Sequence, residues 1–134
     1  MQKLLTIGDM ADKTGVKVVT IRYYERIGLL PAPVRTGSGA YRAYGKADLD
    51  RLSFIRRARN LGFTLHQIRA LLDLAEQRNR DCADVDAIAR EHLTEIERKI
   101  VDLSALRREL RDLIGSCRCG TVADCRIIEA LSPG

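Results

Sequence analysis

The chain has no tryptophan, two phenylalanines and four tyrosines in 134 residues. With aromatics this scarce and Leu, Ile, Arg and Ala dominant, helices are favoured over sheets. Histidine occurs twice, at distant positions, and no acid–base cluster accompanies either one. That argues against an enzyme, which needs a nucleophile–base pair or a metal with an open position. No apolar run is long enough to cross a bilayer, and "MQKLLTIGDM" lacks the extended apolar core of a signal peptide. A cytoplasmic location with no membrane partner is therefore expected. Cysteines there are normally reduced, so the four in this chain point to metal or redox chemistry before disulfides.

What the sequence does have is an uneven charge. Residues 1–70 carry 13 Lys/Arg against 5 Asp/Glu, whereas residues 71–134 carry 10 against 13. A basic N-terminal half followed by a neutral or acidic module is the electrostatic footprint of a nucleic-acid-binding lobe. On charge alone, a solvated basic face without a partner fits equally well.

The pattern of the N-terminal half sharpens this. "LTIGDMADKTGVKVVTIRYYERIGLL" reads as two short helices with a turn between them. Thr6 caps the first, and Ile7, Met10 and Ala11 form its inner face. Gly15 supplies the positive φ of the turn, Gly28 ends the second helix, and Pro31 and Pro33 prevent its continuation. This is the arrangement of a helix-turn-helix. "RTGSGAYRAYG" fits a short β-hairpin, or wing, with its loop at Gly37–Gly39. Two further helices follow, one with Leu49, Leu52, Ile55 and Ala58 inward, the other capped by Thr64 with Leu65, Ile68, Leu71 and Leu72 inward.

From Ala83 to about Gly115 there is no Pro and no internal Gly. Val85, Ile88, His92, Ile96, Ile100, Leu103, Leu106, Leu110 and Leu113 recur at an average spacing of about 3.5, the coiled-coil repeat. One such helix cannot bury its own seam. An antiparallel homodimer is the simplest partner, because two-fold symmetry pairs the stripe with itself. His92 is expected to pack in that seam. The expected organisation is a DNA-binding domain over residues 1–75, a dimerisation helix over 82–115, and a cysteine-bearing loop with a short helix over 116–134, a candidate metal-binding segment. The expected fold class is mainly α: a winged helix-turn-helix lobe with a small β wing, a long antiparallel coiled-coil helix and a C-terminal cysteine-bearing loop, the candidate metal-binding loop.

In the basic lobe, Val19, Thr20, Arg22 and Tyr23 lie on the second helix of the motif, the one that enters the major groove. Arg22 presents a planar fork to guanine edges or phosphates. Tyr23, Tyr41 and Tyr44 can donate hydroxyl bonds to phosphates, and Arg35 and Arg42 of the wing can clamp the backbone. Tyr24 is expected in the core.

Taken in order, "TIRYYERIGLL", "YRAYG" and "RLSFIRRARNLGFTLHQI" resemble the DNA-binding lobe of the MerR family of transcriptional regulators. The resemblance extends over nearly the whole chain. It implies homodimers joined by an antiparallel coiled coil, bound to double-stranded promoter DNA whose polymerase-recognition elements are spaced too far apart. Effector binding then distorts the DNA so that RNA polymerase engages both elements. By position, the resemblance implies that Arg22, Tyr23, Arg35, Tyr41 and Arg42 contact the operator.

The resemblance also speaks to the effector. A short cysteine-bearing end is similar to the metal-sensing branches, and Cys82 at the start of the long helix to those that sense divalent metals. It implies that Cys82 of one subunit approaches Cys117 and Cys125 of the partner subunit. Three soft thiolates favour a soft dication such as Zn, Cd, Pb or Hg. Cys119 is a candidate fourth thiolate, although C-x-C geometry strains a mononuclear site; transfer assistance or exposure to solvent are its other roles. Two rivals stand beside this reading. A [2Fe–2S] redox sensor of the same family uses C-x2-C-x-C-x5-C, of which Cys117, Cys119 and Cys125 supply the last three places while Ile114 occupies the first. A structural zinc knuckle in an interaction protein is the second, and it requires the metal for folding.

Overall fold

The computed structural model describes residues 4–36, 41–117 and 120–134. The chain forms two units, one ending at Val85 and the other beginning at Asp86.

The first unit opens with α1 (Ile7–Thr14). Its start is fixed by a reciprocal capping box: Asp9 N–H donates to Thr6 Oγ1, and Thr6 N–H donates to Asp9 Oδ2, both at 3.0 Å. Gly15 ends it in the left-handed region, φ 76°, donating to Ala11 O at 2.8 Å. The turn leads straight into α2 (Val18–Arg26), and Gly28, φ 78°, reverses the chain after it. Two short strands follow, β1 (Val34–Thr36) and β2 (Tyr41–Ala43). They pair antiparallel with Arg35 opposite Arg42. The loop expected at Gly37–Gly39 lies outside the described residues. Leu5 and Tyr44 exchange backbone hydrogen bonds of 2.8 and 2.9 Å, tying the start of the chain to the end of β2.

Helices α3 (Lys46–Asn60) and α4 (Leu65–Ala75) complete the unit. Gly62, φ 88°, separates them, and Thr64 with Gln67 forms a second capping box. Met10, Ile21, Leu29, Leu52, Ile55 and Ile68 meet in one apolar core, joined by Tyr24 and Tyr44. Long arginines from α3 and α4 satisfy the carbonyls that the turns leave open. Arg56 donates to Gly15 O at 2.7 Å, Arg69 to Ile27 O at 2.6 Å, and Arg51 to Leu29 O at 2.8 Å.

One expectation is corrected by this core. Tyr44 is only 1% exposed, and its hydroxyl donates to the Glu25 carboxylate. It is a core residue, with no free hydroxyl to offer a phosphate. Tyr24 is buried, as expected.

Helix α5 runs Ala83–Ser116, 34 residues, or about 50 Å at 1.5 Å per residue. Asp81 Oδ1 accepts from Ala83 N–H at 2.9 Å and caps its start. In the second unit the helix leads to a single 3₁₀ turn, Val122–Asp124, and to α6 (Arg126–Leu131). His92 is buried, while Leu103, Leu106 and Leu110 stand 64, 60 and 54% exposed. Among the described residues no helix is long and apolar enough to cross a membrane.

Candidate nucleic-acid interface and metal centre

Helix α2 separates its residues cleanly by face. Ile21 and Tyr24 are buried, which orients the helix on the core. Val19, Arg22, Tyr23 and Arg26 are all exposed. Their spacing of i, i+3, i+4 and i+7 puts them on one stripe. The Arg26 guanidinium lies 5.8 Å from the centre of the Tyr23 ring, a cation–π contact that holds the phenol in place. Thr20 is half-buried beside this stripe. Four of the sequence-derived positions, Val19, Thr20, Arg22 and Tyr23, thus gather at one outward surface. For Arg35, Tyr41 and Arg42 the structure describes backbone positions in the hairpin and no side chains.

The sequence reading missed Arg26, although it lies four residues beyond Arg22 and that spacing alone would have found it. It also missed a cleft of about 380 Å³ at the N-terminal end of α2, lined by Lys17, Thr20, Arg56, Arg59 and Asn60 among others. Its cations come from the turn before α2 and from α3, far apart in sequence, so no local pattern announces it.

The second site is at the end of α5. Cys117 follows the helix and donates its N–H to Ile114 O at 3.1 Å. The 3₁₀ turn brings the chain back: Asp124 N–H donates to Thr121 O, and Thr121 Oγ1 to Asp124 Oδ2, both at 3.1 Å. Cys125 then takes the N-cap position of α6. The result is a Cys117 Sγ to Cys125 Sγ separation of 3.9 Å, with both residues half-buried. The backbone N–H groups of Ile128 and Ile127 lower the Cys125 thiol pKa, and Cys117 lowers it further, outweighing the opposing effect of desolvation.

This geometry fits a shared soft metal ion. A disulfide would need about 2.05 Å. Two thiolates at about 2.3 Å from one tetrahedral ion stand about 3.8 Å apart. Among the described residues, no group of three His, Cys, Asp or Glu side chains gathers within one chain. Cys82 belongs to the first unit, exposed beside the Asp81 cap. Cys119 lies outside the described residues.

A core-anchored helix pair with an exposed Arg/Tyr stripe defines a helix-turn-helix regulator of the DNA-binding class. Residues 5–75 match the model of the MerR HTH family regulatory proteins, and residues 49–113 match the model described as MerR, DNA binding. The chain belongs to the MerR family of transcriptional regulators and is not an enzyme. Heavy metal-dependent transcription regulator 2 of Rhizobium meliloti is 45% identical over 130 residues, covering 97% of this chain and 88% of that protein. Among solved structures, the regulator PbrR691 from Ralstonia metallidurans, in complex with lead(II), has a TM-score of 0.79 and 39% identity. It covers 96% of this chain and 99% of its own. The dual-function regulator MerR of Bacillus megaterium, in complex with mercury(II), has a TM-score of 0.64 and 42% identity, covering 95% and 98%.

Proposed function

We propose that the protein is a metal-responsive transcriptional regulator. It binds double-stranded promoter DNA as a homodimer joined through α5. On binding a divalent soft metal it distorts the operator, so that RNA polymerase transcribes metal resistance or efflux genes. The metal is held by Cys82 of one subunit with Cys117 and Cys125 of the partner subunit, and Cys119 is a further candidate ligand. Zn, Cd, Pb and Hg all suit these donors. The protein acts in the cytoplasm.

The observation that carries this reading is the reduced Cys117–Cys125 pair at 3.9 Å. Two thiolates in one chain are two short of the four ligands a tetrahedral ion such as zinc takes, and a third from a second chain brings the site nearer completion. Relatives that bind lead(II) and mercury(II) support the same chemistry. A dication held there would neutralise thiolate charge, with Cys82, Cys117 and Cys125 as the groups that would tie the subunits through it. The chain's own part is structural: α5 carries the thiol pair at one end and leads from the DNA-binding unit at the other. The exposed stripe on α2, with Arg35, Tyr41 and Arg42 of the hairpin, reads or grips the operator.

A transcriptional reporter induced by Zn, Cd, Pb, Hg, Cu or a redox cycler tests the proposal. Cys82→Ser should abolish metal induction while leaving operator binding intact. Full induction of that variant sinks the intersubunit site. Induction by the redox cycler alone would favour the iron–sulfur reading, and melting of the whole fold by a chelator would favour a structural zinc knuckle.

A further inference from the structure

Val19 is the most exposed large apolar residue described in the DNA-binding unit, at 75%. Isolated exposed apolar side chains are ordinary on protein surfaces. This one sits on the stripe whose other members, Arg22, Tyr23 and Arg26, are exposed and able to hydrogen-bond. It is also the second residue of α2, in the first turn. The N-terminal residues of a recognition helix are those that meet base edges. Lys17, immediately before the helix, is exposed as well, so Val19 shares its face of the lobe with exposed cations that draw the helix toward phosphates.

A valine side chain neither donates nor accepts a hydrogen bond. Facing a groove edge of donors and acceptors, it would strip water from polar groups without replacing those bonds, which carries a cost. The major groove offers one class of apolar group, the C5-methyl of a pyrimidine, which thymine carries and cytosine does not. We infer that Val19 is a specificity-determining residue that packs on the C5-methyl of a thymine in each operator half-site. This rests on the reading of α2 as the recognition helix and adds to it the base that one residue selects. Arg22 and Arg26 supply affinity and register, and Val19 supplies discrimination at a position that no hydrogen bond reads.

The test uses full-length protein and a duplex that the wild type enriches from a randomised-sequence pool. Each thymine is replaced in turn by uracil in both half-sites. Uracil keeps the hydrogen-bonding edge and lacks the methyl. In a parallel set, each cytosine becomes 5-methylcytosine. Uracil at one position should weaken wild-type binding about fourfold per half-site, the transfer value of one methyl. Val19→Ala should bind the thymine and uracil duplexes equally. Val19→Thr, which keeps a γ-methyl at the same place, should retain the difference, as should Arg22→Ala on its weaker baseline.

Wild-type indifference to uracil at every position overturns the inference. So does a thymine–uracil difference that persists undiminished in Val19→Ala. A Val19-dependent gain from 5-methylcytosine alone transfers the contact to methylated cytosine and overturns the thymine assignment. If the pool yields no duplex bound above bulk DNA, the recognition-helix reading itself falls, and this inference with it.

Discussion

Cys117 Sγ and Cys125 Sγ stand 3.9 Å apart, held there by a 3₁₀ turn and the N-cap of α6 rather than by a bond between them. A turn and a helix cap that set both thiols within reach of one ion reduce the ordering cost of binding it. Replacing either cysteine with serine should lower metal affinity by more than the roughly 10- to 100-fold typical of losing a group behind a ligand. Competition against a chelator of known affinity measures this. Equal affinity in Cys125→Ser and wild type would remove that residue from the site. Both variants should still bind operator DNA, since neither thiol lies in the first unit.

Local chemistry made much of this molecule legible in advance. Thr6, Thr64, Gly15, Gly28 and Gly62 announce helix ends because caps and positive φ depend on a few adjacent residues. The buried and exposed faces of α2 follow from its helical period. The Tyr44–Glu25 bond did not show, because it joins positions 19 residues apart that only the folded core brings together. The same holds for Arg56 on Gly15 O and Arg69 on Ile27 O, which span 41 and 42 residues. Cys117 and Cys125 were paired through the family resemblance, and the structure brings their sulfurs to 3.9 Å through a single turn. The place of Cys82 in the proposed site is not readable from the residues alone, because a site shared between two subunits would have no signature within one chain.

Arg22 lies exposed on the α2 stripe, away from the core. Arg22→Ala should weaken operator binding with and without metal. If the guanidinium meets a phosphate, the slope of log K against log salt should fall by about 1. If it reads a guanine, selectivity at that base pair should relax by about 1–3 kcal/mol. Titrations across a salt series with matched and mismatched duplexes separate the two. Unchanged affinity in every condition takes Arg22 out of the interface.

Tyr44→Phe keeps the ring in the core and deletes the hydroxyl that donates to Glu25. Hydrogen bonds to charged groups contribute about 1.5–3 kcal/mol, so the variant should lose stability of that order. Urea denaturation should show the midpoint falling with the slope unchanged. An unaltered midpoint would mean that water replaces the hydroxyl at no cost.

Two glycines should respond to alanine with opposite signs. A Cβ at Gly8, inside α1, meets only Thr6 Oγ1 at 3.6 Å. Gly8→Ala should therefore stabilise by about 0.5–1 kcal/mol, since alanine loses less backbone entropy in a helix. At Gly28 the space is also open, with Arg69 Nη1 at 3.7 Å, but φ is 78°. Gly28→Ala should cost about 1–2 kcal/mol through the left-handed backbone alone. Because Gly28 shapes the exit from α2, the loss should appear in operator affinity as well as in the urea midpoint.

The long helix gives the last prediction. Leu103, Leu106 and Leu110 lie on one stripe of α5, each more than half exposed in the single chain. Burying each in a dimer seam would contribute about 1.5–3 kcal/mol at full burial. Leu106→Glu replaces that gain with a carboxylate that must be desolvated, and two-fold symmetry imposes the change twice. Sedimentation equilibrium should find wild type dimeric and Leu106→Glu monomeric at micromolar concentration. Arg108→Ala, on the opposite side of the helix, should remain a dimer. The monomer should contact one half-site at a time and lose the metal response, because Cys82 and the Cys117–Cys125 pair would no longer come from two chains. A Leu106→Glu dimer as tight as wild type would move the interface off this face of α5.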